Sequence, residues 1–175
     1  MELYILRHAI ALPHGTAGYD QDSDRPLTPK GAKKMRSISK GMQALGINFD
    51  LILSSPFMRA KETADIVANT FKAQKKLKFS DTLAVDGNPS ELIDELNDKH
   101  SSHEAVMLVG HEPYLSELVS MLISGDLRVK TTMKKGGLCK LSASSLQYGH
   151  CATLEWLLAP RHLIRLRCRN RHRIR

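Results

Sequence analysis

The stretch Leu6-Arg7-His8-Ala9 ends an apolar run near the amino terminus, and this run predicts the first strand of the fold. Two further apolar runs end in similar stretches, Ser54-Ser55-Pro56-Phe57-Met58-Arg59-Ala60 and Val109-Gly110-His111-Glu112. Open α/β sheets build their sites at the carboxyl ends of their strands. We therefore expect two histidines and two arginines to meet at one edge of a sheet.

Helical patterns alternate with the predicted strands along the chain. Three helix starts are marked by a capping residue followed by proline, at Thr28-Pro29, Ser55-Pro56 and Asn88-Pro89. Two late strands, over residues 138–141 and 152–158, come without a helix between them and suggest a hairpin. This order predicts an α/β fold, a three-layer α/β/α sandwich with a mostly parallel mixed sheet.

The net charge of +8 is concentrated at the carboxyl end of the 175-residue chain. Residues 161–175 include seven arginines and no acid, whereas the first 160 residues hold nineteen basic and eighteen acidic side chains. We therefore predict one domain over residues 1–160 and a basic tail over residues 161–175. The nearly neutral domain argues against nucleic acid as a partner.

The tail itself has three interpretations. It is a solvated or disordered end, a site for an acidic partner, or a nucleic-acid patch. As a strand, it would place six alternating arginines on one face, namely Arg165, Arg167, Arg169, Arg171, Arg173 and Arg175. We favour the solvated end.

Several features predict a cytoplasmic protein without a membrane partner. The chain contains no apolar run of membrane-spanning length. Residues 1–4 lack the basic segment of a signal peptide and are typical of a first strand. Cys139, Cys151 and Cys168 are odd in number and lack metal-type spacing, which favours a reduced compartment.

The pair Arg7-His8 carries the first chemical signal. A lone histidine is more often structural, but a charged arginine directly after a buried strand needs a partner. The planar fork of Arg7 suits a phosphate group. A neutral His8 could attack phosphorus and form a covalent intermediate. Because nearby positive charge favours the neutral imidazole, we predict a lowered pKa for His8.

The other two strand ends supply matching groups. Arg59 lies in the predicted first turn of a helix, where an anion would offset its unfavourable interaction with the helix dipole. Ser54 offers a hydroxyl at the same edge, and His111 could donate to a phosphoryl oxygen. Glu112 is either a complement to the helix dipole or a general acid for the leaving group. Scattered histidines without clustered carboxylates favour a site without a metal or other cofactor.

At these residues the sequence resembles the histidine phosphatase superfamily, also called phosphoglycerate mutase-like. Arg7-His8 matches the Arg-His pair that follows the first strand in this family. Residues 54–64 resemble the second-strand motif with its phosphate-binding arginine at Arg59, and Gly110-His111 resembles the late motif with the second catalytic histidine. The short chain and Arg25-Pro26-Leu27-Thr28 look most like the SixA-type phosphohistidine phosphatases.

The resemblance implies a metal-independent phosphatase in which His8 attacks phosphorus. Arg7, Arg59 and His111 would surround the phosphoryl oxygens, and water would then hydrolyse phospho-His8. The implied substrate is phosphohistidine in a protein, such as a phosphotransfer domain. The long acidic insertion of mutase-type members is missing, and Asp81, Asp86 and Glu91 lie in roughly that region without a matching motif.

Two alternatives remain open at this stage. One is a small-molecule phosphomonoesterase of the same superfamily that uses Glu112 or an acid in residues 81–91 as proton donor. The other is a basic-tailed module that binds phosphate or nucleic acid without useful catalysis.

Overall fold

The computed structural model describes residues 1–170, with side chains through residue 167, as a sheet between two layers of helices. No helix in this part of the chain is long and apolar enough to cross a membrane. The elements in chain order are β1 (Glu2–Arg7), α1 (Pro29–Ala44), β2 (Leu51–Ser54), α2 (Met58–Phe71), β3 (Leu77–Phe79), α3 (Pro89–His100), β4 (Ala105–Gly110), α4 (Tyr114–Ser124), β5 (Leu138–Ala143), β6 (Ala152–Leu158) and α5 (Pro160–Asn170).

The strands form one mixed sheet in the order β3-β2-β4-β1-β5-β6. The first four strands of that order run parallel. β5 is antiparallel to β1, and β6 is antiparallel to β5, with which it forms the expected hairpin. Arg7 lies opposite Gly110, and Ser54 lies opposite Val109, so β1, β4 and β2 end at the same level. The predicted three-layer α/β/α sandwich is confirmed.

The central strands are buried on both faces, which explains why they appear in the sequence as continuous apolar runs. Leu3 and Ile5 point into a core shared with α3 and α4. Tyr4 and Leu6 point into a second core shared with α1, α2 and α5. Burying one such aliphatic side chain contributes about 1.5–3 kcal/mol, so the two cores together hold the strand ends in place.

Two of the three predicted helix starts are correct. The Thr28 side chain accepts a hydrogen bond from the backbone N–H of Gly31 at 2.9 Å, and α1 begins at Pro29. Asn88 caps α3 through the N–H of Ser90, also at 2.9 Å.

The prediction that Ser55 caps α2 is wrong, because α2 begins only at Met58 and has no side-chain cap. The Ser55 hydroxyl accepts a bond from the N–H of Phe57 at 3.3 Å, which closes a short turn ahead of the helix. Its other contact, with His111, draws it into the site.

The described part of the predicted tail is a helix and not a strand or a solvated end. Residues 160–170 form α5, whose Leu163 is fully buried against α1. A Cβ atom on Gly41 would lie 1.9 Å from the carbonyl oxygen of Leu163, so the two helices cross in close contact there. Arg167 donates to the hydroxyl of Ser37 at 2.7 Å. Two apolar residues among the arginines, Leu163 and Ile164, pack into the core beside α1 and explain the docking. Arg171, Arg173 and Arg175 lie outside the described residues.

Candidate active site

The carboxyl ends of three neighbouring strands bring His8, Arg59 and His111 together. The N–H of His8 donates to the carbonyl of Gly110 at 3.0 Å, which joins the end of β1 to the end of β4. The ring centroids of His8 and His111 lie 5.1 Å apart. His8 is 7% exposed, His111 1% and Arg59 3%, so the three cationic or basic groups share a largely desolvated pocket.

The orientation of His8 is set by its own backbone neighbour. Nδ1 lies 2.7 Å from the carbonyl oxygen of Ala9. A carbonyl only accepts hydrogen bonds, so Nδ1 carries the proton and Nε2 has the free lone pair. No described residue hydrogen-bonds to Nε2. This tautomer is the one that a nitrogen nucleophile requires.

Both histidines are held neutral. Burial lowers the pKa of His8 to about 3, with a smaller contribution from His111, Arg59 and Arg7, while the Ala9 carbonyl acts in the opposite direction. Burial also lowers the pKa of His111 to about 3, and Arg59 adds to this effect. The lowered pKa of His8 agrees in direction with the prediction, but its main cause is desolvation and not neighbouring charge.

Arg7 lies at the end of β1 and holds a later loop. Its Nη1 donates to the carbonyl of Met133 at 2.6 Å, and its own carbonyl accepts from the N–H of Gly136 at 3.1 Å. Its Nε is buried without a partner among the described residues. Burial lowers the pKa of Arg7, and the nearby charge of Glu112 opposes this effect.

Arg59 has an acidic partner that the sequence analysis missed. Its Nη1 donates to the backbone oxygen of Asp22 at 2.7 Å, and its Nη2 donates to Oδ2 of the same residue at 2.8 Å. Asp22 Oδ1 accepts two bonds from Arg25, at 2.8 Å from Nε and 2.5 Å from Nη2. Arg25 is anchored in turn on the Leu12 carbonyl at 2.6 Å. The acid-rich segment 20–24 was the only sequence signal for an acidic partner of Arg59. Because this segment lies in a loop, its position relative to Arg59 could not be predicted.

Of the two serines at the carboxyl end of β2, Ser55 and not Ser54 contacts a catalytic candidate. The Ser54 hydroxyl donates to the Ser55 carbonyl at 2.9 Å and is fully buried. The Ser55 hydroxyl lies 2.8 Å from Nε2 of His111. Thr63 was also missed: its hydroxyl donates to the Arg59 carbonyl at 2.6 Å and accepts from the N–H of Ala9 at 3.0 Å. Thr63 thus ties α2 to the loop that carries His8.

Glu112 contacts the start of α4 with one carboxylate oxygen, and its role as a general acid stays a prediction. Its Oε2 accepts from the backbone N–H of Ser116 at 3.3 Å and from the Ser116 hydroxyl, so it caps the start of α4. Its Oε1 is buried and has no partner among the described residues. One oxygen therefore has a structural role while the other is uncommitted.

A cleft of about 240 Å³ is lined by His14, Tyr19, Asp22 and Arg25, among others. A larger cavity of about 1390 Å³ lies at the opposite edge of the sheet, near Met1, Glu2 and Asp50. The larger cavity contains none of the residues gathered at the strand ends. Cavity size therefore does not identify the site here, whereas the convergence of side chains does.

The chain is similar to known proteins over nearly its whole length. Residues 3–84 match the model of the histidine phosphatase superfamily (branch 1). An uncharacterized protein of Picosynechococcus sp. is 34% identical over 167 residues, covering 94% of this chain and 99% of that protein. The phosphohistidine phosphatase SixA of Escherichia coli is 24% identical over 168 residues, covering 93% of this chain and 96% of SixA.

Solved structures share the fold over nearly the whole chain. A structure of the protein histidine phosphatase SixA with tungstate has a TM-score of 0.78 at 22% identity, covering 93% of this chain and 99% of SixA. An Escherichia coli structure described as a putative alpha-ribazole-5'-P phosphatase has a TM-score of 0.73 at 18% identity, covering 91% and 97% of the two chains. The chain belongs to the histidine phosphatase superfamily.

Proposed function

We propose that this protein is a metal-independent phosphatase that removes the phosphoryl group from phosphohistidine in proteins through a phospho-His8 intermediate. The tautomer of His8 carries the proposal. With its proton held by the Ala9 carbonyl, the ring offers the Nε2 lone pair beside Arg59 and His111. The lowered pKa keeps this lone pair unprotonated at neutral pH, because burial disfavours the imidazolium.

The reaction proceeds in two displacements. In the first, Nε2 of His8 forms a bond to phosphorus and the P–N bond of the substrate breaks, with the electron pair leaving on the substrate imidazole. In the second, the oxygen of water bonds to phosphorus, the new P–N bond breaks and its electron pair returns to Nε2 of His8, and both protons of water leave with inorganic phosphate. Arg7, Arg59 and His111 stabilise the charge on the phosphoryl oxygens during both steps.

The acids near the pocket favour phosphohistidine as the substrate. Asp22 is bound by two arginines that lower its pKa, so it holds no proton to give at neutral pH. Glu112 uses one oxygen to cap α4. A phosphohistidine imidazole protonated on its other nitrogen leaves as a neutral ring, whereas an alkoxide needs a strong proton donor. The similarity to SixA supports the same substrate class, and a phosphotransfer domain is the kind of partner we propose.

The location we propose for this activity is the cytoplasm. Cys139 and Cys151 are both free thiols, consistent with a reducing compartment.

A small-molecule phosphomonoesterase is the second candidate, and Glu112 is the observation that favours it. Its buried Oε1, without a partner among the described residues, could carry the proton that an alkoxide leaving group needs. The fold is also shared with the alpha-ribazole-5'-P phosphatase structure, which is named for a small-molecule substrate.

A substrate panel with two variants separates these candidates. Wild-type protein, His8→Ala and Glu112→Gln are assayed with a phosphohistidine peptide, p-nitrophenyl phosphate, phosphoglycerate and sugar phosphates. We expect the peptide to be the preferred substrate, His8→Ala to abolish its turnover, and Glu112→Gln to leave it nearly unchanged. Equal turnover of alkyl phosphates that is lost in Glu112→Gln would favour the phosphomonoesterase. Retained activity in His8→Ala would exclude His8 as the nucleophile.

If the protein is a binding module without useful catalysis, we expect a third pattern of results in this panel. Wild-type protein would bind inorganic phosphate and turn over nothing in the panel. Isothermal titration calorimetry with inorganic phosphate, run beside the kinetic assays, detects this outcome.

A further inference from the structure

We infer that Asp22 is a positioning residue that orients the guanidinium of Arg59 toward the phosphoryl group. This inference rests on the proposed function in one respect, which is that the pocket accepts a phosphoryl group. Asp22 lies in the long loop between β1 and α1, 37 positions before Arg59 in the chain, and it matches none of the family motifs identified in the sequence.

The two contacts between Asp22 and Arg59 leave the guanidinium little rotational freedom. One N–H of Nη1 donates to the backbone oxygen and one N–H of Nη2 donates to the carboxylate. An arginine has five N–H donors, so the second N–H of each of these nitrogens remains available for a phosphoryl oxygen. Phe57 lies under the guanidinium at 5.2 Å and restricts its plane further.

Asp22 is itself held in place by a second arginine. Arg25 donates two hydrogen bonds to Oδ1 of Asp22 and a third to the carbonyl of Leu12. Burial raises the pKa of Asp22, but hydrogen bonds from Arg25 and the charge of Arg59 outweigh it and hold the pKa below the ordinary value. The carboxylate therefore stays ionised at neutral pH. An ionised carboxylate fixed on both oxygens orients its neighbours and does not donate protons.

Orientation matters here because Arg59 reaches the pocket through a long side chain. Its backbone is held by α2 and by the bond from Thr63, but neither contact fixes the guanidinium. A displacement of about 1 Å in a group that stabilises the transition state costs on the order of 100-fold in rate. We therefore expect loss of Asp22 to lower kcat about 10- to 100-fold.

If Asp22 served only to neutralise charge, its removal would change phosphate affinity in the opposite direction. If Asp22 only neutralises Arg59, it competes with the phosphoryl group for the same charge, and its removal makes the pocket more positive. Phosphate would then bind more tightly to Asp22→Asn. A positioning role predicts weaker phosphate binding, because the donors lose their alignment even though the net positive charge rises.

The experiment compares wild-type protein with Asp22→Asn and uses Asp24→Asn as the matched control. Asp24 lies in the same loop and is exposed, and among the described residues its carboxylate bonds only to the hydroxyl of Ser23, so its substitution removes the same charge without touching Arg59. Affinity for inorganic phosphate is measured by isothermal titration calorimetry, and kcat and KM are measured with p-nitrophenyl phosphate and with the phosphohistidine peptide. We expect Asp22→Asn to lower kcat more than it raises KM and to weaken phosphate binding, with Asp24→Asn close to wild type.

Tighter phosphate binding by Asp22→Asn, or an unchanged kcat, would overturn the assignment. If Asp22→Asn does not fold, as judged by circular dichroism, Arg25→Lys replaces it: this variant keeps the positive charge but loses the two-bond grip on Asp22. The same losses in phosphate affinity and kcat are expected, and their absence would also overturn the assignment. Phosphate affinity does not depend on which phosphate ester is hydrolysed, so it tests Asp22 even if phosphohistidine proves not to be the substrate.

Discussion

Acidification should destabilise the folded protein through His8 and His111. Both are buried and neutral, with pKa values of about 3 in the fold, against about 6.5 in an unfolded chain. Each therefore contributes stability that is present above pH 6.5 and is lost as the pH falls toward 3, because only the unfolded chain takes up the proton. At about pH 5 the loss is about 2 kcal/mol for each histidine and about 4 kcal/mol for the pair.

The assay is urea unfolding at about pH 8 and about pH 5 for wild-type protein and the double variant His8→Asn/His111→Gln. The Asn amide can donate to the Ala9 carbonyl in place of Nδ1, and the Gln amide can reach Ser55 in place of Nε2. All other titrating groups are common to both proteins and cancel in the comparison. The wild type should lose about 4 kcal/mol more than the variant between the two pH values.

The control is His150→Gln, because His150 is an exposed histidine away from the site and should leave the pH dependence near that of wild type. Equal pH dependence in wild type and the double variant would refute the reasoning. It would mean that the two histidines take up protons in the folded protein as readily as in the unfolded chain, so burial would not be what keeps His8 neutral.

Two further predictions concern stability. The Thr28 hydroxyl caps α1 by accepting a hydrogen bond from the N–H of Gly31, so Thr28→Ala should lower the free energy of unfolding by about 1 kcal/mol in urea titrations. Thr28→Ser keeps a hydroxyl and should retain most of this stability. Equal stability of the two variants would contradict the capping role. Gly41→Ala places a Cβ 1.9 Å from the carbonyl oxygen of Leu163, so it should cost about 3 kcal/mol or detach α5. The exposed Lys40→Ala is its control, and a stable Gly41→Ala protein would contradict the close crossing of α1 and α5.

The fold could be predicted well because its signals are local. The apolar runs before His8 and His111 and the cap at Thr28 each depend on a few neighbouring residues. The same kind of signal failed at Ser55, where a cap-plus-proline pair precedes α2 but the hydroxyl is drawn to His111. A tertiary contact of this kind outweighs a local preference, and nothing in the neighbouring sequence indicates it.

The carboxyl-terminal segment was misjudged for a related reason. The arginines dominate its composition, which suggests a solvated end, yet Leu163 and Ile164 pack α5 against α1 where Gly41 lets the backbones approach. The composition of the segment does not reveal the fit between Leu163 and Gly41, because these two residues lie far apart in the chain.

The sequence by itself predicted most of the strands, the layer order and the family, and it proposed Arg7, His8, Arg59 and His111 as the chemical groups. These follow from short-range patterns and from strand ends that a parallel sheet brings to one edge. Only the tertiary structure decided the His8 tautomer and the pairing of Arg59 with Asp22. The physical reason is that a hydrogen-bond partner is selected by position and orientation in space, and the loop that brings Asp22 to Arg59 has no periodicity from which its path could be derived.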